Sequence, residues 1–278
     1  MTISPEIIHA SHAAEKSHVA RMEDTRGLQV KPWLDGASLN VDRAKVEIAV
    51  FYGILDCLPL GPGALILDVG AGPCWISEWL QKLHYRTISV DIAQEMLAIG
   101  KTRLAPGSWL CSGDMAALPL ADRSVDAVVC YGALHHVPNW QQALAELYRV
   151  LRPNGVLVLQ EPGKGHSEQA ESMAQMAQFG VLEQSLPPRT LIKACRGAGF
   201  AKAVVRPIAE VGFGPARILP AYPFFRNAPF IYLHQRWRRF AAEVVERCLN
   251  LVTQIHLVVA VKGAAYFDSR RPNIMVAR

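Results

Sequence analysis

The sequence predicts an α/β protein: a mostly parallel, doubly wound sheet with helices on both faces. Three observations carry that expectation. From about Leu65 to Arg206 short β-rich runs alternate with longer helical patterns, the repetition that sandwiches a parallel sheet between two helical layers. The first run, LILDV, enters a glycine turn, GAG, before the chain becomes helical. The later helical patterns stop near Pro153 and Gly199, the residue types at which helices end.

In chain order, Pro5–Arg21 and Asn40–Leu58 read as helices separated by the Gly- and Pro-containing GLQVKPWLDGAS, and residues 1–60 are taken as an N-terminal helical cap. Strands follow at LILDV (65–69), RTISVD (86–91), WLCSGD (109–114), VDAVVCY (125–131), GVLVLQE (155–161) and FAKAVVRP (200–207). The helical stretches between them are ISEWLQKLH, AQEMLAIGKTRL, WQQALAELYRVL and RTLIKACRGAG. Residues 61–206 form the core domain and 207–278 a C-terminal extension. That extension holds a Pro- and aromatic-rich passage, an amphipathic helix with Phe230, Leu233, Trp237, Phe240, Val244, Cys248 and Leu251 on one stripe, and a strand in IHLVVAVKG. No internal repeat and no low-complexity segment is found.

Composition narrows the function classes. At 278 residues and 51% hydrophobic, the chain is long enough to bury a substantial core without staples. The six cysteines form no CxxC or CxxH pair, a pattern that fits a reducing compartment. A net charge of +5, dispersed along the chain, is too mild to point to nucleic acid. The N-terminus lacks a basic segment followed by an apolar one, and no apolar run reaches the ~18 residues of a membrane span. A cytoplasmic protein is expected. Arg236, Arg238 and Arg239 flanking Trp237 suggest a helix packed near the acceptor pocket, with a weak membrane-surface contact as the alternative.

Ligands of doubly wound sheets sit at the carboxyl ends of the strands, and the acids collect there. A glycine turn between strand and helix lets a ligand approach the backbone closely. Asp68 stands two residues before Gly70, where it can orient the turn or accept a hydrogen bond from a cationic amine, a neighbour that a pyrophosphate would not tolerate. A dinucleotide site would show a third glycine; here Trp75 holds that position. Asp91 ends the second strand, where a carboxylate can accept both hydroxyls of a ribose. Asp114 ends the third, followed by the apolar Met115, a pairing suited to the amine and face of a purine. An amine, a ribose and an adenine together describe S-adenosylmethionine.

LILDVGAGPCW, SVDIAQEML, SGDMAALPLADRSVDAVVC and GALHHVPNWQQALAELYRVLRPNGVLVLQEP together resemble the class I S-adenosylmethionine-dependent methyltransferases of Rossmann-like fold, of the small-molecule kind grouped with ubiquinone-biosynthesis and sugar enzymes. The resemblance runs from about Gly61 to Arg206. It implies that Asp68, Gly70, Ala71 and Gly72 cradle the methionine part, that Asp91 binds the ribose, that Ile92 and Met115 sandwich the adenine and that Asp114 reads its amine; Tyr131, closing the fourth strand, is counted with them. Where this family commonly has a glycine, the chain has Cys74. Cys74 and Cys130 are expected to pack rather than react.

A hydroxyl acceptor must lose a proton, and histidine is the usual base. His135 and His136 follow the fourth strand and His166 the fifth, with Glu161 nearby; these four are the candidate catalytic residues. Because neighbouring residues at a strand end point in opposite directions, at most one of His135 and His136 should face the pocket. His9, His12 and His18 are expected on an exposed helix face, and no metal site is expected. The turn after the fourth strand lacks the Asn/Asp-Pro-Pro-aromatic pattern of the amino-methylating DNA enzymes and the Pro-Cys of the cytosine-C5 enzymes. EPGKGHSEQAESMAQMAQFGVLEQ and VKGAAYFDSRRPNIMVAR are similar to methyltransferases of bacterial polysaccharide and glycoside modification, which implies a small-molecule or glycan hydroxyl. The alternatives are a quinone-type or other small acceptor, a cofactor-holding scaffold without catalysis, and a nicotinamide dehydrogenase.

Overall fold

The computed structural model describes residues 3–22, 26–32, 34–35, 38–39, 41–207, 256–263, 266–267 and 275–276. The helix stripe 230–251 and the arginines around Trp237 lie outside them.

Ser4 caps α1 (Pro5–His18), its hydroxyl accepting from the Ile7 amide at 3.5 Å, with Pro5 at the first helical position where no amide is needed. α2 (Arg26–Val30) and α3 (Val41–Asp56) follow. The sheet is then laid down by β1 (Leu65–Val69), β2 (Arg86–Asp91), β3 (Trp109–Ser112), β4 (Val125–Tyr131), β5 (Leu151–Gln160), β6 (Lys202–Pro207) and β7 (His256–Val261). Between strands run α4 (Trp75–Lys82), α5 (Gln94–Lys101), α6 (Trp140–Val150), α7 (Ala170–Phe179) and α8 (Pro188–Gly197).

The seven strands are ordered β3-β2-β1-β4-β5-β7-β6. β1 to β5 pair in parallel, and β7 enters antiparallel between β5 and β6. The chain leaves β1 toward β2 and returns on its other side as β4, so the crevice beyond the β1 and β4 carboxyl ends is the topological switch point where such sheets bind ligands.

Side chains alternate across the sheet, as strand geometry requires. Leu67, Val69, Val128, Cys130, Leu157 and Leu159 face α6 and α8 through Leu144, Leu147 and Leu191. Ile66, Ala127, Val129, Val156, Val158 and Val259 face α3 and α4 through Val50, Ile54 and Leu80. Each large aliphatic side chain so buried contributes ~1.5–3 kcal/mol. Lys262, just past β7, donates from its buried ammonium to the carbonyls of Tyr148 (2.6 Å) and Leu151 (2.8 Å), fastening the inserted strand to the carbonyl end of α6, where a cation is favoured.

The sequence placed β1, β2 and β4 at the bounds observed. It extended the third strand to Asp114, whereas the strand stops at Ser112 because the Asp114 carboxylate turns the chain by accepting from the Ala116 amide at 2.8 Å. β5 begins at Leu151 rather than Gly155, with a register shift between Val125 and Ala127 of its partner. The strand assigned to the C-terminal extension is an internal member of the core sheet. Among the described residues no helix is long and apolar enough to cross a membrane.

Candidate active site

Gly70 and Gly72 carry φ of +66° and +51°, values that suit glycine, but for different ends. A Cβ on Gly70 would fall 2.2 Å from the Ala133 Cβ; only a bare backbone lets the β1 turn touch the turn after β4. A Cβ on Gly72 would meet nothing within 4 Å, and the residue lines an open cleft. Gly70→Ala is therefore expected to cost ~2–4 kcal/mol from overpacking and backbone strain combined, and Gly72→Ala only ~1 kcal/mol from strain alone. Thermal unfolding of the two variants checks this; equal shifts would contradict the close-approach role of Gly70.

Cys74 also lies in the left-handed region, at φ 57°, the conformation that glycine at this family position adopts freely. Its side chain is accommodated by the bare Gly100 of α5, where a Cβ would come within 2.3 Å of the Cys74 sulfur. Burial pushes the thiol up to about 12, so Cys74 packs and does not react.

The acids hold the turn. Asp68 is 2% exposed and accepts from the Ser77 hydroxyl (2.6 Å) and amide (3.1 Å) at the start of α4. Burial raises its pKa to about 6 against the lowering effect of those bonds. Asp91 accepts from the Gly72 amide at 2.8 Å with one oxygen and from the Ala93 amide at 2.8 Å with the other, and burial again raises its pKa. Asp68, Gly70, Ala71, Gly72, Asp91, Ile92, Met115 and Tyr131 all line one cleft. Asp114 does not, although its neighbours Gly113 and Met115 do; its second oxygen lies 3.6 Å from His12 Nε2. The Tyr131 hydroxyl donates to the buried Glu47 of α3, and the ring packs edge-on against Trp75 at 5.5 Å.

Of the two adjacent histidines, His136 lines the cleft and His135 does not. His135 is buried, with Nδ1 2.7 Å from Glu161 Oε2 and Nε2 3.4 Å from Glu183 Oε2. Burial lowers its pKa, but the two carboxylates outweigh that and carry it to about 9; with both ring nitrogens engaged it has no lone pair to offer the cleft. Glu161 is likewise committed. Its oxygens accept from the amides of Ala133 (3.2 Å), Leu134 (2.9 Å) and His135 (3.2 Å), so the carboxylate holds the turn after β4 rather than facing a substrate. His166 directs Nε2 to Glu183 Oε2 at 2.7 Å and does not line the cleft, contrary to its candidacy as the base there. His136 places Nδ1 2.7 Å from the Leu182 carbonyl. That nitrogen must carry the proton, leaving Nε2 as the acceptor. Burial first, then His135, pulls its pKa down to about 4.

The sequence missed the role of α1. His9 is exposed as expected, but His12 and His18 are not: α1 lays a polar face over the cleft, which Ser11, His12, Glu15 and His18 all line. Ser11 donates to the His136 carbonyl at 3.3 Å, and His18 packs on Phe179 of α7 at 4.6 Å. Ser11, Glu15 and His18 recur at helical spacing, the one signal in the sequence for this face. The Glu15 Oε1 is buried without a hydrogen-bond partner, 3.5 Å from His136 Nδ1. Burial, then the charges of Asp91 and Glu183, raises the Glu15 pKa from 4.5 to about 7.

A carboxyl whose pKa is raised by folding favours the folded state fully below its unfolded value and loses that advantage as the pH rises through the folded one. Glu15→Gln, neutral at every pH, is therefore expected to be more stable than the parent by roughly 2–3 kcal/mol at pH 8 and nearly equal to it at pH 4. Thermal unfolding at the two pH values checks this, and the same shift at both would contradict a charge origin.

Comparison with known proteins agrees with the geometry. Residues 67–159 match the methyltransferase domain family model. An uncharacterised 37.1 kDa protein of transposon Tn4556 from Streptomyces fradiae is 34% identical over 170 residues, covering 57% of this chain and 49% of that protein. A demethylmenaquinone methyltransferase of Renibacterium salmoninarum is 38% identical over 108 residues, covering 39% of this chain and 45% of that one. The chain thus spans about half the length of the curated relatives it matches. The crystal structure of an S-adenosylmethionine-dependent methyltransferase from Mesorhizobium loti superposes with a TM-score of 0.56 at 20% identity, over 77% of this chain and 97% of that one. Residues 67–159, the stretch similar to the methyltransferase domain family, thus lie in a Rossmann-like sheet that β7 completes.

Proposed function

We infer that the chain binds S-adenosylmethionine and methylates a hydroxyl on a small-molecule or glycan acceptor. One observation carries this: a single cleft joins the glycine turn and the carboxylates of β1 and β2 to His136. The residues suit the cofactor. Gly72 leaves open the space that a side chain would fill, Asp68 and Asp91 supply negative charge for a sulfonium and an amino group and acceptors for ribose hydroxyls, and Ile92 and Met115 offer apolar walls to an adenine.

S-adenosylmethionine supplies a methyl group already activated as a sulfonium. What remains for the protein is to hold the acceptor at attack distance, worth ~7–11 kcal/mol when complete, and to take its proton. His136 Nε2 takes that proton, its tautomer held by Leu182, with Glu15 alongside to steady the charge that develops on the ring. α1 covers this end of the cleft and limits water.

A quinone-type acceptor is the second reading, favoured by the 38% identity to a demethylmenaquinone methyltransferase. The test is incubation with methyl-labelled S-adenosylmethionine and panels of sugar hydroxyl and quinone acceptors, with product analysis. Label on a hydroxyl oxygen supports the reading; label on carbon, nitrogen or sulfur overturns the hydroxyl assignment and leaves the cofactor assignment standing.

A further inference from the structure

Behind the cleft wall the fold gathers three side chains from separate stretches: His135 in the turn after β4, His166 in the loop after β5, and Glu183 in the segment between α7 and α8. One donor atom from each lies within 4.8 Å of the other two. His166 Nε2 and His135 Nε2 stand 2.7 and 3.4 Å from the same oxygen of Glu183. Donors bound to one ion at ~2.0–2.2 Å must lie about 3–3.6 Å apart, so shifts of about an ångström, chiefly in the partly exposed His166, would seat a cation among them.

We propose that His135, His166 and Glu183 form a site for one first-row divalent transition-metal ion, Zn²⁺ being the best match. Two imidazoles and a carboxylate are a donor set that zinc takes with a further position left for water, and nitrogen donors disfavour Mg²⁺ and Ca²⁺.

A second observation is independent of the cluster. The Nδ1 of His135 is held at 2.7 Å by Glu161, which is itself fixed by three backbone amides. A carboxylate on the far nitrogen of a histidine fixes the ring so that Nε2, once metal binding has displaced its proton, presents its lone pair to the ion, and such partners govern affinity nearly as strongly as the ligands themselves. Here the oriented Nε2 is the one that faces Glu183 and His166.

The ion would join the turn after β4, which lines the cleft, to the loop after β5 and the segment between α7 and α8. The His136 ring lies 3.9 Å from that of His135, and its Nδ1 bonds to Leu182, next to Glu183. A filled site would therefore set the position of the cleft histidine without entering the cleft. This inference stands apart from methyl transfer, because metal binding is measured with neither cofactor nor acceptor present.

The experiment is calorimetric titration of the chelator-stripped full chain with Zn²⁺, together with the visible absorption spectrum of the Co²⁺-loaded protein and thermal unfolding with and without Zn²⁺. One equivalent should bind, give the ligand-field bands of a low-coordinate Co²⁺ site, and raise the unfolding temperature. His166→Ala and Glu183→Gln should each weaken binding by 100-fold or more, Glu161→Gln by ~10–100-fold, while His84→Ala, at an exposed position, should leave it unchanged. His166 is the least buried of the three ligands, so its variant is the one expected to keep the fold, which circular dichroism verifies. Failure of the parent to bind one equivalent, or equal binding by the parent and a folded His166→Ala, would overturn the proposal and leave the three residues as a hydrogen-bonded brace.

Discussion

His136→Ala is expected to lower turnover by ~10²-fold, the lower end of the range for loss of a positioned general base, because burial holds its pKa down to about 4 and makes it a weak one, with the affinity for S-adenosylmethionine nearly intact. The expectation rests on geometry. His136 is the candidate base that lines the cleft, and the Leu182 carbonyl at 2.7 Å requires the proton on Nδ1, which leaves Nε2 to accept. His136 also carries little of the core, so its removal should not unmake the sheet. Measuring kcat on the identified acceptor beside the cofactor dissociation constant separates catalysis from binding. Unchanged turnover would assign the reaction to positioning alone. A loss of cofactor affinity as large as the loss of turnover would make His136 part of the binding surface instead.

Asp91→Ala should weaken S-adenosylmethionine binding by tenfold to several hundredfold. The carboxylate has two jobs. One is the expected acceptance of ribose hydroxyls; the other, which the structure adds, is to hold the Gly72 and Ala93 amides at 2.8 Å each. Alanine leaves both donors without this partner, at ~1–3 kcal/mol for each that stays buried, and the turn that shapes the cleft loosens. Asp91→Asn, keeping one carbonyl acceptor, should fall between the parent and alanine. Titration calorimetry reads the series, and equal affinities across it would remove Asp91 from the site.

What was legible in the sequence was what is local. Asp68, Gly70, Gly72 and Asp91 sit in strand–turn–helix units whose signals occupy a dozen residues, and the strands that carry them were placed at their observed bounds. The insertion of β7 between β5 and β6 was not legible, because nothing in IHLVVAVKG says which distant strand it will pair with. The polar face of α1 was assigned to water because such faces normally meet solvent; here a polar cleft takes the place of solvent. Glu161 reads from the sequence as a candidate catalytic residue closing the fifth strand, but its charge is spent on three backbone amides, a use that appears only once the turn after β4 has folded against it. His135, His166 and Glu183 follow no ligand spacing along the chain and meet only through tertiary packing.

The cleft at the β1–β4 switch point is proposed to be built for S-adenosylmethionine. Titration calorimetry of the full chain with S-adenosylmethionine, and separately with NAD, tests it most directly. One equivalent of S-adenosylmethionine is expected to bind, with no heat from NAD. Binding of NAD with no response to S-adenosylmethionine, or silence toward both, would contradict it.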